Sequence, residues 1–529
     1  MLQYFPHSIN IITFVHIYTK TNMKPMKKTS ALLLVAALTG IPATSQDIVT
    51  EEMTTRIYDT FSTSLNGEGS AYEENTEIPA EQISATRDKV WSIWKSAVEN
   101  FDEEKLFEVT ELEKREKSSW KLPAHLEANA TMPFYWGCNA VEVEPDTKYP
   151  LFLYMHGSGD KNQEWETGIG LSLRRFYSPG IYFVPQIPNT SEYRWATRSK
   201  QWAWEKLLRL AFLTDEVDAN KIYFFGISEG GYGSQRLAAF YADYLAGAGP
   251  MAGGEPLRNA PMENVANIAF SLRTGALDDA FYRNKLTQKA LEVADELQKQ
   301  HPGYYNHFIE VIEGDGHSID YRPTTPWLAE YTRDPHPDYF FWENYDMYGG
   351  RRTGFYNLRV IEPSLTNDNQ GRACYEMTRE GNTVTLDVKK VTYTTVYAPS
   401  GIEIDFTKKY ETITKGKVRL YLNEKEYDLT QPVKVVLNGT EIFNGMVGTN
   451  LKTMVESCAY YFDPERLFPA AIDIDIEEMS ATPTAIDTVE AEHGKDMATV
   501  VYDLGGRRVE QPVEKGIYIR DGQAVMVGQ

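Results

Sequence analysis

Cysteine is scarce in this chain: Cys138, Cys374 and Cys458 are three among 529 residues. An odd, low count excludes a disulfide framework. Cys374 and Cys458 fall in one candidate domain, so a single pairing between them stays open. CxxC and HExxH spacings are also missing, and with them the usual signals of a zinc site. Basic residues are outnumbered, 53 Lys and Arg against 75 Asp and Glu, for a formal net charge of −22. That deficit argues against nucleic acid or an anionic membrane as a main partner, because both need a basic face. The apolar run Ala31–Leu38 is too short to cross a bilayer. What is present is a hydrophobic fraction of 42%, enough for packed cores at a length that predicts about two to four domains.

Lys24, Lys27 and Lys28 precede that short run, and the small residues Ala43-Thr44-Ser45 end it. A positive flank, a short apolar stretch and a small-residue site predict a secretory signal peptide over 1–45. The start is then expected at Met23 or Met26, the alternative being Met1 with a longer, less tidy signal. Residues 46–129 read as a partly helical lead-in. Up to about 85 they are polar and turn-rich. From 85 to 114, Val90, Trp91, Trp94, Ala97, Val98 and Phe101 recur at helical spacing.

Over 130–345 short apolar runs alternate with helical stretches. Leu151–Met155, Ile181–Val184, Ile222–Phe225, Asn267–Leu272 and Phe308–Ile312 predict buried strands. Lys206–Leu213, Gly233–Leu245 and Lys285–Gln300 predict helices. This alternation predicts an α/β fold, a mostly parallel sheet covered on both faces, with any site beyond the carboxyl ends of the strands. Period-two runs take over in 346–478: Thr383–Val388, Lys417–Leu422 and Pro432–Leu437, with a turn at Asn438-Gly439. They predict an accessory β-sandwich-like domain. A linker at 479–498 and a small β unit of three strands at 499–529 follow. The aromatic run Tyr339–Glu343 and the segment Trp327–Pro335 are left either covering the cleft or packing beneath it.

Ser228 sits in Gly226-Ile227-Ser228-Glu229-Gly230, directly after the strand Ile222–Phe225 and before a helix. A strand–turn–helix context of this kind suits an exposed nucleophilic serine. Glycines leave room beside the serine, and the helix N-terminus favours negative charge there. The serine needs a base. His317 ends a predicted strand at Glu313-Gly-Asp-Gly-His317, whereas His156 reads as structural. The base needs an orienting carboxylate. Asp278 follows the strand before the histidine strand, with Asp279 as the neighbouring alternative. Asp315 and Asp320 are assigned to holding the histidine loop. Oxyanion donors are expected from the N–H of Glu229 and of Gly157 or Ser158, in the turn His156-Gly157-Ser158 after an early strand. Among the clustered tryptophans, Trp165 and Trp195 are candidate aromatic platforms for a substrate.

These elements, in this order, resemble the α/β-hydrolase superfamily over about Ala130 to Glu343. The stretch Val217–Gly231 looks like the secreted esterase, feruloyl-esterase and polyhydroxyalkanoate-depolymerase branch. Prolyl-oligopeptidase-type hydrolases carry similar elbows, but too little chain precedes 130 to hold their propeller. The resemblance implies a secreted serine esterase using Ser228, His317 and Asp278, with no cofactor and no metal. Its substrate would be a small-molecule or polysaccharide-linked ester. A serine peptidase and an inactive surface glycan-binding protein are the alternatives. The tail, through Val501–Val509 and Lys515–Ile519, resembles the C-terminal sorting domain of the type IX secretion pathway. That implies engagement of the secretion machinery and a secreted or cell-surface location.

Overall fold

The computed structural model describes residues 47–68, 71–140, 147–176 and 178–484, and the backbone of four short strands between 501 and 527. The leader expected at 1–45 and most of the linker lie outside the described residues. The first described elements are two helices, α1 (Glu51–Leu65) and α2 (Ile83–Asn100). The turn-rich reading of 46–85 is thus corrected. Thr50 caps α1 by accepting from the Met53 N–H, and Ile57 and Phe61 form its buried stripe. Phe61 meets Trp94 of α2 edge-on at 5.1 Å. The helical reading of 85–114 is too long: Phe101 turns extended (φ −67°, ψ 133°) and ends α2.

The central sheet has eight strands: β1 (Lys117–Lys121), β2 (Thr131–Cys138), β3 (Tyr149–Met155), β4 (Ile181–Pro185), β5 (Val217–Ile227), β6 (Gly247–Met251), β7 (Ala269–Gly275) and β8 (His307–Ile312). Their spatial order is β1-β2-β4-β3-β5-β6-β7-β8. The first two are antiparallel to their neighbours and every later pair is parallel. The helices α3 (Lys161–Arg174), α4 (Arg198–Ala211), α5 (Glu229–Tyr241) and α6 (Arg283–Gln300) supply the crossovers, as parallel strands require. Strand β6, Gly-Ala-Gly-Pro-Met, escaped the sequence reading because it lacks β-branched and aromatic residues. Gly249 is nonetheless forced there: a Cβ would lie 2.6 Å from Cγ2 of Thr324 on α7 (Thr324–Ala329).

The run Tyr339–Asn344 is buried rather than a cover over a cleft. It is strand β9, the edge of an accessory sheet, where it pairs with β12 (Arg372–Glu380). The β-rich part therefore begins before the expected boundary at 346. Between these lie β10 (Gly354–Phe355) and β11 (Leu358–Glu362). Next come β13 (Thr383–Tyr397), β14 (Glu403–Thr412), β15 (Lys417–Leu422), β16 (Val433–Leu437) and β17 (Thr440–Gly445). Helix α8 (Leu451–Tyr461), β18 (Ala470–Asp475) and β19 (Ser480–Pro483) complete this part, so the expected linker starts as a strand. One sheet runs β17-β16-β13-β12-β9, with β14 on β13; the other runs β10-β11-β15-β18-β19. Phe340 and Trp342 of the first stack on Tyr356 and Phe355 of the second, at 5.4 and 5.5 Å.

The two parts share a core and a buried ion network. Arg333 reaches Asp463 at 2.7 Å, Arg466 reaches Asp463 at 2.8 Å and Asp243 at 2.6 Å, and Arg352 also pairs with Asp243. Cys138, Cys374 and Cys458 are buried free thiols, Cys374 among tyrosines and Phe341, Cys458 in the main core. The pairing left open in the sequence is not formed. Burial pushes both of the latter thiols well up. The tail backbone forms four strands, one more than expected: β20 (Val501–Asp503), β21 (Arg508–Val509), β22 (Gly516–Arg520) and β23 (Gln523–Val527), all antiparallel.

Candidate active site

Ser228 stands between β5 and α5 with φ 55° and ψ −112°. A non-glycine residue there is strained. Two glycines make the turn possible. A Cβ on Gly230 would lie 1.9 Å from the Met155 carbonyl oxygen, and one on Gly226 would lie 2.5 Å from that of Gly230. The head of α5 thus presses directly onto the end of β3. The Ser228 N–H is held by the Met251 carbonyl at 2.9 Å, so strand β6 braces the turn.

His317 follows β8 and Asp278 follows β7. The two loops are hydrogen-bonded to each other: Leu277 N–H donates to Asp315 O at 2.9 Å and Ala276 N–H to Ile312 O at 2.8 Å. The approach is close, since a Cβ on Gly275 would sit 2.2 Å from the Gly316 carbonyl oxygen. His317 Nδ1 lies 2.7 Å from Asp278 Oδ2, and Nε2 lies 3.0 Å from Ser228 Oγ. A carboxylate only accepts, so Nδ1 carries the hydrogen and Nε2 offers its lone pair to the serine. Arg283 Nη1 donates to the other Asp278 oxygen at 2.7 Å. The structure therefore joins Ser228, His317 and Asp278 in one chain of hydrogen bonds and leaves Asp279 exposed. Asp320 is engaged by Arg322 at 2.7 Å, and Asp315 contributes its backbone to the loop.

Gly157 abuts the serine: its Cβ, if present, would be 3.4 Å from Ser228 Cβ. The Glu229 N–H lies in the first turn of α5, where amides have no intrahelical acceptor. His156 is buried and its pKa is pushed down to about 4. Its Nδ1–H donates to Gly157 O at 2.8 Å and its Nε2 accepts from Ile187 N–H at 3.1 Å. It is a neutral strut for the turn, as the sequence reading held.

The tryptophan expectations are corrected. Trp165 is buried, stacked on Tyr135 at 4.3 Å and donating to Val184 O at 2.8 Å. Trp195 is fully buried, and its Nε1–H donates to His156 O at 2.9 Å. Indoles this large gain most by burial once the N–H finds an acceptor. Trp195 therefore supports the His156-Gly157 turn from behind rather than facing a substrate.

A cleft of about 520 Å³ opens onto Ser228, Ser158 and Glu229. Its wall on the side of the eight-stranded sheet carries ion pairs that sequence reasoning missed: Arg194 with Glu229 at 2.5 Å and Arg236 with Glu255 at 2.6 Å. Burial raises the Glu229 carboxyl to about 7 despite Arg194. The opposite wall comes from the β-rich part, through Tyr397, Gly401, Ile402 and Glu403. The turn at Ala398-Pro-Ser-Gly401 that carries them was not singled out in the sequence, because nothing local says where it lies.

No family model matches the chain, and no curated protein matches it. Solved structures do. A thermostable esterase is 21% identical with a TM-score of 0.34, over 42% of this chain and 64% of that one. A putative dipeptidyl aminopeptidase IV from Bacteroides ovatus is 14% identical with a TM-score of 0.30, over 41% and 34%. A ferulic acid esterase is 14% identical with a TM-score of 0.31, over 41% and 97%. The chain thus spans under two thirds of the first two. Its own strand order, with the serine turn after β5, makes the fold that of an α/β-hydrolase followed by antiparallel β-sheets.

Proposed function

We propose that the protein is a serine carboxylic-ester hydrolase acting on acylated carbohydrate or similar esters. The observation that carries this reading is the unbroken Asp278–His317–Ser228 hydrogen-bond chain ending at a serine on a strained, helix-capping turn. Ser228 Oγ attacks the ester carbonyl while His317 Nε2 takes its proton. The carbonyl oxygen becomes an oxyanion, met by the N–H of Glu229 and of Gly157 or Ser158. The carbon–oxygen bond to the alcohol then breaks, and His317 returns the proton to the leaving oxygen. Water, deprotonated by His317, attacks the acyl-enzyme and releases the acid and Ser228. Asp278 holds the imidazole in the needed tautomer and favours its transient charge. Arg283 fixes Asp278 in turn.

The test is turnover of p-nitrophenyl acetate and of acetylated xylan beside peptide p-nitroanilides. Ester cleavage, with kcat reduced by about 10⁴ or more in Ser228→Ala, is the expected result. Cleavage of anilides alone would replace the esterase with a peptidase. We further propose export, through the leader at 1–45 and the tail at 499–529. Deleting the tail is expected to keep the enzyme from the medium and cell surface.

A further inference from the structure

We propose that the arm formed by β13 and β14 completes the substrate site, and that Tyr397 and Phe281 clamp a sugar ring beside the scissile ester. This rests on the esterase reading above and adds the element that selects the substrate. The arm is defined by register. Up to Val391, β13 pairs with β12, but from Thr392 to Tyr397 its partner is β14. A two-stranded ribbon is marginal alone in water, so its order must come from what it leans on. It leans on the hydrolase core: Asp405 pairs with Lys289 of α6 at 2.7 Å and Lys408 with Glu263 at 2.7 Å. The ribbon delivers Tyr397, 56% exposed, to the cleft wall.

Phe281, 64% exposed, lines the same cleft from the other part of the molecule. It is held at φ 56° and its neighbour Tyr282 at φ 62°. Two consecutive non-glycine residues in the left-handed region are costly and recur at ligand clamps. The strain presents a large apolar ring to water, which packing alone does not require. The Arg283 guanidinium lies 5.2 Å from that ring and also holds Asp278, so the rim is tied to the hydrogen-bonded chain.

The cleft that both rings line also carries charge. Glu403, at the base of the turn, is buried, and its Oε1 has no hydrogen-bond partner among the described residues. Arg258 is 3.8 Å from its other oxygen. Exposed rings and charged side chains lining one cleft match a pyranose, whose C–H faces stack and whose hydroxyls donate to carboxylates. A purely aromatic acid would use the rings and leave Glu403 unsatisfied.

The test uses the full chain. Binding of methyl 6-O-acetyl-glucopyranoside to Ser228→Ala is followed by ligand-observed NMR, then repeated with Tyr397→Ala or Phe281→Gly added. The glycine variant relieves the backbone strain, so loss of fold does not confuse its reading. In the Ser228 enzyme, kcat/KM is measured on the same glycoside, on vinyl acetate and on phenyl acetate. Either ring removal should weaken glycoside binding and raise its KM about five- to tenfold, with vinyl acetate within about twofold. Unchanged glycoside binding overturns the clamp, as does an equal loss on vinyl acetate. A loss confined to phenyl acetate overturns the sugar assignment. Failure of the esterase reading is distinct: it would show as no ester turnover in the Ser228 enzyme, with the binding arm still deciding the clamp.

Discussion

At Ser228 the backbone and the chemistry conflict. The φ of 55° suits glycine, yet glycine has no hydroxyl. Ser228→Gly should abolish ester turnover and raise stability by about 1 kcal/mol, read as kcat and thermal midpoint. Glu229 makes a pH prediction. Its carboxyl is raised from 4.5 to about 7, chiefly by burial, so the folded state binds this proton more tightly than the unfolded chain. The stability it lends is full below about 4.5 and is lost as pH rises through about 7. Glu229→Gln should flatten that fall in chemical-denaturation midpoints across the same window. Ser228, His317 and Asp278 were legible because each closes a strand: a run of apolar residues, then a glycine-rich turn. Trp165 and Trp195 misled because a tryptophan near a site reads alike whether it faces the ligand or braces the turn behind it.

At the scale of elements, the glycines of the turn matter through what they let approach. Gly230→Ala would drive a methyl into the Met155 carbonyl. It should cost about 3 kcal/mol or more, seen as a lowered unfolding midpoint, whereas Gly303→Ala on an open surface turn should cost about 1 kcal/mol through its positive φ alone. Helices α5 and α6 and the long apolar strands could be read from periodicity, since burial on both faces leaves a dense apolar run. Strand β6 could not, because its five residues are chosen for thinness against α7. Helix α1 was obscured by its threonines and serines, which favour caps and turns; here Thr54, Thr60, Ser62, Thr63 and Ser64 are half-buried along the helix. The β13–β14 arm is invisible locally, because it is fixed by register and by ion pairs to residues far away in the chain.

At the scale of the molecule, the accessory sheets are bound to the parallel-sheet core rather than strung after it. Asp463 is fully buried, and burial alone would raise its pKa, but Arg333 and Arg466 hold it well below the usual carboxylate range. Asp463→Ala leaves Arg333 without its carboxylate and Arg466 with Asp243 alone, and should cost about 3–5 kcal/mol, measured by denaturant unfolding. Both parts should melt in one transition. The succession of the two parts was readable in the change from helical to period-two patterning; their attachment was not, because it depends on single arginines from three separate segments.

The measurement that bears most directly on the account is covalent labelling of the purified chain with a fluorophosphonate, followed by peptide mass spectrometry. A single stoichiometric adduct is expected on the peptide holding Ser228, absent in Ser228→Ala and strongly slowed in His317→Ala. A folded protein that takes up no label, or carries it elsewhere, would contradict it.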